Sequence, residues 1–196
     1  MANIEVQSRT ELSDLADLFE LVESSMGFVP NSFLTMSRWP ELLRSFTGMA
    51  GLVLSSGSVD LGLKQLVAFV CSTSAGCRYC QAHTSHSATR RGVREEKITA
   101  AFEYETSVLF SDAERAALRL AAHAGMNPNA TEPVHFDALK EHFSDQEIVE
   151  IVGVISLFGF LNRWNDTMAT ELEEAPLNFG QNVLSENGWV AGKHAK

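Results

Sequence analysis

Residues 61–83, LGLKQLVAFVCSTSAGCRYCQAH, join an apolar segment directly to a pair of cysteines. The apolar side chains between Asp60 and Ala75 are dense enough for a helix that is buried on most of its surface. Gly76 follows, and glycine commonly ends a helix. The sequence therefore predicts a buried helix that ends near Gly76 and a second helix that carries Cys77-Arg78-Tyr79-Cys80.

The remainder of the chain shows the same helical periodicity. Ser111 with Glu114 and Ser144 with Glu147 have capping-box spacing, in which each side chain satisfies a backbone N–H group of the helix start. No segment shows the sustained alternation of a β-strand, so we predict an all-α fold. We expect further helices over about residues 10–26 and 32–39, one that begins at Pro40, and a short one around Ile98. The helix that carries the cysteines should end at Arg90-Arg91-Gly92.

The length and composition indicate one globular domain. A chain of 196 residues with 45% hydrophobic and 20% charged residues is typical of a single folded unit. We predict one domain over residues 1–196, with a core at about 30–170 and a C-terminal arm at about 171–196 that docks on its own or a neighbouring subunit.

The formal charge of −10 argues against nucleic acid and anionic membranes as partners, because no Lys/Arg cluster offsets it. The N-terminus lacks a basic region followed by an apolar run, so a cytoplasmic location is expected. The longest apolar stretch, Ile148 to Leu161, is interrupted and is shorter than the roughly 18 residues that a membrane span requires.

The cysteine motif predicts thiol chemistry. A cysteine in the first turn of a helix has its pKa lowered by the helix dipole and by free N–H groups. Cys77 and Cys80, three residues apart, place their Cβ atoms about 5–6 Å from each other, close enough for a disulfide after a modest adjustment. His83 follows Cys80 by three residues and is a candidate proton acceptor or donor for it.

Other interpretations of the motif remain open. His83 and His86 extend it to Cys-x-x-Cys-x-x-His-x-x-His, but four ligands at this spacing fan through about 180° of one helix and do not surround a tetrahedral ion. Two buried and inert cysteines are the other alternative. Cys71 lies within the apolar helix, where cysteine usually acts as a small hydrophobe. We expect neither a metal nor a cofactor.

The chain resembles the AhpD-like alkylhydroperoxidase and carboxymuconolactone decarboxylase family. The resemblance rests on Leu66-Val67-Ala68, on residues 75–83 and on Phe160-Leu161-Asn162-Arg163, and it covers roughly residues 30–170. It implies an AhpD-like helical bundle that assembles into dimers, trimers or hexamers. It also implies that the second cysteine, Cys80, attacks a peroxide and that Cys77 resolves the product. The dipole argument alone favours Cys77 as the attacking thiol, so the order stays open.

Two positions depart from the family pattern. Gln65 stands where characterised members have a glutamate of a proton relay, and an amide does not take up a proton. Thr84 stands where they have a histidine, although a peroxidase-like branch has one at the position of His83. Candidates for a different relay are Gln65 itself, Tyr79, Glu103 and Glu105, and the two glutamates have solvated helix-end charges as their more common interpretation.

The sequence thus predicts a thiol-dependent peroxidase that passes through a sulfenic acid and a disulfide and is reset by an unidentified thiol reductant. The alternatives are a cofactor-free decarboxylase of the carboxymuconolactone type, against which the paired cysteines argue, and a non-catalytic oligomeric redox sensor. A homo-oligomer is expected because the helix from Glu147 to Trp164 is apolar on nearly every face. A weak similarity between the segments around Gly76 and Gly159 suggests an internal two-fold repeat.

Overall fold

The structure is a computed structural model that describes residues 2–195. Within this range the chain forms helices and turns without a β-strand, which confirms the predicted all-α class. Ten α-helices are present in the described residues: α1 Ala16–Met26, α2 Asn31–Met36, α3 Pro40–Ser55, α4 Leu61–Ser74, α5 Arg78–Arg90, α6 Glu95–Ala100, α7 Asp112–Ala124, α8 Pro133–Lys140, α9 Asp145–Met168 and α10 Glu174–Phe179.

Helix α4 is the centre of the bundle. It packs against α5, α7 and α9, and every residue from Gly62 to Ser72 is buried. Leu66 and Phe69 are each only 1% exposed. A helix that is covered on all sides needs apolar residues on all faces, which explains the density of apolar residues in this stretch.

The turn after α4 fixes where the cysteines lie. Gly76 has a φ of 76°, in the left-handed region that favours glycine. The next residue, Cys77, is the N-cap of α5. Gly159 has a different setting, since it lies within the continuous helix α9, so the suggested internal repeat is not confirmed.

Both predicted capping boxes are present, at the start of α7 on Ser111 and at the start of α9 on Ser144. The first predicted helix begins later than expected, at Ala16, after two 3₁₀ turns. The hydroxyl groups of Ser8 and Thr10, which precede Ala16, form a hydrogen bond with each other at 2.8 Å and do not cap a helix.

The C-terminal segment, residues 171–195, packs onto α5 of the same chain. Trp189 is 2% exposed, and its indole N–H donates to the carbonyl oxygen of Arg78 at 3.1 Å. The indole also lies against Gly180, where an added Cβ would come within 2.6 Å of the ring. The backbone N–H of Leu172 donates to the carbonyl oxygen of His194 at 2.9 Å and closes the segment on itself.

One side of α9 faces the core and the other is open. Val149 and Val152 of α9 are exposed, and Met49 and Leu52 of the neighbouring α3 are exposed as well. The expected homo-oligomer, which these side chains would suit, stays a prediction. In residues 2–195 no helix combines the length and the apolar character that crossing a membrane requires.

Glu150 of α9 anchors the loop between α3 and α4. Its carboxylate accepts hydrogen bonds from the N–H groups of Ser58 and Val59 at 2.9–3.0 Å. It also lies 3.1 Å from the ammonium group of Lys64, whose side chain is 1% exposed. The hydrogen bond from Ser58, followed by those from Val59 and Lys64, lowers the pKa of Glu150 to about 2 against the opposing effect of desolvation.

We therefore expect Glu150→Gln to destabilise the protein by about 2–3 kcal/mol at neutral pH. Because the pKa of Glu150 is depressed in the folded state, its contribution is complete above the unfolded value of 4.5 and is lost as the pH falls toward about 2. Urea unfolding of the wild type and the variant between pH 2.5 and 7 measures this difference. The exposed Glu141 supplies the control variant Glu141→Gln, and a difference that stays constant with pH would contradict the assignment.

Candidate functional site

A cavity of about 680 Å³ opens beside the cysteine motif, between α1, α2, α3, α5 and α9. This volume lies within the range of sites that hold small organic ligands. Most of its wall is apolar. The apolar lining residues include Leu21, Val22, Met26, Phe33, Phe46, Leu54, Phe158 and Leu161.

The two cysteines have different positions relative to this cavity. Cys80 lines it, in the first turn of α5, whereas Cys77 lies behind it and is fully buried. The N–H of Cys80 donates to Sγ of Cys77 at 3.4 Å, so the two residues are in direct contact. Both are free thiols. The sequence left the order of attack open, and this geometry gives only Cys80 access to a molecule in the cavity.

The expectation that the helix start lowers the thiol pKa is wrong for Cys80. Burial raises the pKa of Cys80 well above its ordinary value, and the neighbouring Cys77 raises it further. The amide of Asn165 acts in the opposite direction, because Nδ2 donates to Sγ of Cys80 at 3.5 Å. Cys80 is therefore a neutral thiol at rest, and Asn165 is placed to stabilise the thiolate when it forms.

A largely buried carboxylate from the C-terminal segment lies beside the motif. Glu173 Oε2 is 2.6 Å from His83 Nε2, and Glu173 Oε1 accepts a hydrogen bond from the Tyr79 hydroxyl at 2.8 Å. The backbone N–H of Asn31 donates to the same carboxylate. Burial raises the pKa of Glu173, but the charge and hydrogen bond of His83 outweigh it, so the net pKa lies below its ordinary value. Glu173 is thus an anion in a largely buried position.

The structure brings some of the candidate relay residues together and leaves others apart. Gln65, Tyr79 and His83 line the cavity with Cys80. Glu103 and Glu105 are exposed, away from the cavity lining, and Glu105 pairs with Arg119 at 2.6 Å. The carboxylate at the site is instead Glu173, which the sequence analysis missed. It lies 90 positions from His83, so no local motif spacing points to it.

Tyr79 of the cysteine motif is held by the carboxylate of Glu173. Its ring stacks on the His83 ring with centroids 4.2 Å apart, which fixes the orientation of the imidazole. Burial, together with the charge of Glu173, raises the pKa of Tyr79 well above its ordinary value. Tyr79 is therefore a neutral hydrogen-bond donor that orients Glu173 and His83, rather than a group that exchanges protons near neutral pH.

The third cysteine, Cys71, and the histidine His135 have structural roles. Cys71 is buried, and desolvation raises its pKa to about 12, so its thiol is unreactive near neutral pH. His135 accepts a hydrogen bond from the N–H of Glu132 at the start of α8. Nowhere in residues 2–195 do three His, Cys, Asp or Glu side chains come together in a group that could hold a metal ion.

Comparison with known proteins gives the class of this chain. The sequence profile of the carboxymuconolactone decarboxylase family matches residues 40–123. An uncharacterized peroxidase-related protein from Ralstonia eutropha JMP134, described as an alkylhydroperoxidase AhpD core, has the same fold with a TM-score of 0.79. It is 23% identical, over 89% of this chain and 94% of that protein. The chain belongs to the carboxymuconolactone decarboxylase family and has an AhpD-like fold.

A more similar structure is the debrominase Bmp8. An alanine variant of Bmp8, solved in complex with 2,3,4-tribromopyrrole, is 35% identical to this chain with a TM-score of 0.87. The alignment covers 93% of this chain and 98% of Bmp8. The same fold therefore occurs in a debrominase and in a protein described as peroxidase-related.

Two uncharacterized curated proteins also match part of the chain. YnjA of Escherichia coli (strain K12) is 29% identical over 110 residues, which are 56% of this chain and 60% of YnjA. YdfG of Bacillus subtilis (strain 168) is 27% identical over 110 residues, 55% of this chain and 72% of YdfG. The chain thus matches less than two thirds of the length of YnjA.

We expect Asn165→Ala to slow the alkylation of Cys80 by iodoacetamide at pH 8 at least about tenfold, because a hydrogen bond to a charged group contributes about 1.5–3 kcal/mol. Peptide mass spectrometry measures the rate at Cys80 separately from the other cysteines. The matched control is Asn162→Ala, one turn earlier on α9, since Asn162 is buried and lies outside the cavity lining. Equal alkylation rates in Asn165→Ala and the wild type would contradict the role of the amide.

Proposed function

We propose that this protein reduces organic hydroperoxides through a dithiol–disulfide cycle of Cys80 and Cys77. The observation that carries the proposal is the position of Cys80 in the wall of a large apolar cavity, with a second thiol in contact behind it. The size and apolar lining favour an organic hydroperoxide over hydrogen peroxide, which needs no such space. The family membership and the AhpD-like fold support the same class of chemistry.

In the first step, the Cys80 sulfur attacks the distal oxygen of the hydroperoxide. An S–O bond forms, the O–O bond breaks, and the organic part leaves as an alkoxide that takes up a proton and becomes an alcohol. The Cys80 proton must leave as the sulfur attacks, because burial keeps the resting thiol neutral. His83, which also lines the cavity and is held by Glu173, is the acid–base group that transfers a proton to the leaving oxygen.

In the second step, the Cys77 sulfur attacks the sulfenic acid on Cys80. A disulfide forms and water leaves, which requires the two sulfur atoms to approach to about 2 Å. The contact of Cys77 with the backbone of Cys80 and its position outside the cavity lining support this step. An external dithiol then restores both thiols by exchange.

The similarity to Bmp8 favours reductive dehalogenation as a second candidate function. Bmp8 is described as a debrominase, and the match spans almost all of both chains. The same two thiols would supply the electrons: a carbon–bromine bond becomes a carbon–hydrogen bond, bromide leaves, and Cys80 and Cys77 become a disulfide. The aromatic side chains of Phe33, Phe46 and Phe158 in the cavity wall suit a flat aromatic substrate.

We expect the wild type to reduce cumene hydroperoxide with multiple turnovers when dithiothreitol is in excess. Cys80→Ser should lose this activity by at least about a thousandfold, because no attacking thiol remains in the cavity. In Cys77→Ser the sulfenic acid on Cys80 should persist and be trapped by dimedone. The measurements are the consumption of hydroperoxide and peptide mass spectrometry.

The control for this experiment is Cys71→Ser, which removes a buried thiol that has no contact with the cavity. Full turnover in Cys80→Ser would refute the proposed role of Cys80. A single stoichiometric oxidation of the wild type, without turnover, would instead indicate a redox sensor. Absence of any reaction with hydroperoxides, combined with release of bromide from a bromopyrrole, would favour the second function.

A further inference from the structure

The charge of the cavity is opposite to that of the whole chain. The protein has 25 acidic and 15 basic residues. Yet the described lining of the cavity contains no Asp or Glu side chain, while Arg90 and Arg91 lie at its rim. Both arginines are exposed to solvent, so they mark the mouth of the cavity rather than its base.

Arg91, which directly follows α5, lies in register with the face of that helix that carries Cys80. Cys80, Thr84, Ser87 and Arg91 follow one another at intervals of four, three and four residues, and all four line the cavity. The rise of an α-helix places Arg91 about 16 Å along the axis from Cys80. The cavity therefore has a thiol at one end, positive charge at the other, and apolar walls between them.

The guanidinium groups are free of carboxylates from the protein. Within residues 2–195, no Asp or Glu oxygen lies within 4.0 Å of a guanidinium nitrogen of Arg90 or Arg91. Arg90 donates one hydrogen bond, from Nη2 to the carbonyl oxygen of Ser25 at 3.0 Å, which holds its side chain over the rim. Most of its donors, and those of Arg91, remain available to an anionic group.

We propose that the cavity binds an amphiphilic carboxylate, with the carboxylate at Arg90 and Arg91, the apolar chain along the walls and the reactive group at Cys80. This inference rests on the proposed function: the substrate is then a long-chain fatty acid hydroperoxide. Arginine forms bidentate hydrogen bonds with carboxylates, which would orient the chain with its head at the mouth. The apolar lining covers the hydrocarbon part of the ligand.

The first experiment compares two hydroperoxides that differ only in the charge of the head, linoleic acid hydroperoxide and its methyl ester, both below their micelle concentrations. For the wild type we expect a KM about fivefold lower for the acid, since exposed ion pairs of arginine contribute up to about a factor of five each. In Arg91→Gln and in the double variant Arg90→Gln/Arg91→Gln this preference should shrink or disappear. The kcat should change little, because the arginines lie far from the thiol.

The matched control is Arg94→Gln, an exposed arginine outside the cavity lining that pairs with Glu96. It should keep the wild-type preference for the acid. Equal KM values for acid and ester in the wild type, together with normal reduction of cumene hydroperoxide, would overturn the carboxylate site and leave the proposed peroxidase function intact.

A second experiment is independent of the reaction. Isothermal titration calorimetry compares the binding of decanoate and 1-decanol to the reduced protein. We expect decanoate to bind about fivefold more tightly, and Arg90→Gln/Arg91→Gln to remove this difference. Tighter binding of decanoate without any turnover of hydroperoxides would support the carboxylate site while refuting the peroxidase. Equal affinity for both ligands would refute the site itself.

Discussion

The contact between Glu173 and His83, 2.6 Å between Oε2 and Nε2, is the interaction on which the candidate site depends. Glu173 also holds the Tyr79 hydroxyl and the N–H of Asn31, so one carboxylate joins the C-terminal segment, α5 and the start of α2. A buried anion is stable only with such partners. The orientation of His83 therefore requires the C-terminal segment to be docked, and the hydrogen bond from Trp189 to Arg78 helps to hold that segment on α5.

Burial creates a conflict that shapes the chemistry of this site. Desolvation raises the pKa of Cys80 and keeps the thiol neutral, although a nucleophilic sulfur must be a thiolate when it attacks. Asn165 donates to the sulfur of Cys80, and in the proposed mechanism His83, held by Glu173, is the acid–base group. A thiol that is activated only when a substrate occupies the cavity would be protected from indiscriminate oxidation, because reactivity follows thiolate character and exposure.

Local sequence patterns predicted the features that depend on neighbouring residues. The buried helix α4, the turn at Gly76 and the capping box at Ser144 follow from spacing within a few residues. Glu173 and Asn165 were missed because their partners lie 90 and 85 positions away, and only packing of the bundle brings them together. The prediction of a low pKa for Cys80 was wrong for the same reason. Desolvation depends on tertiary burial, and here it raises the pKa by more than the helix start lowers it.

The role of Glu173 and His83 is tested by the single-turnover rate at which cumene hydroperoxide oxidises Cys80 in Glu173→Gln, compared with the wild type at pH 7. Glutamine keeps the shape of the side chain and an acceptor oxygen for Tyr79 and Asn31 but removes the charge that holds His83. We expect a rate at least about tenfold lower, with the Cys77–Cys80 disulfide still the product, because acid–base groups contribute about 10²–10⁴-fold. An unchanged rate in a folded variant would contradict this role.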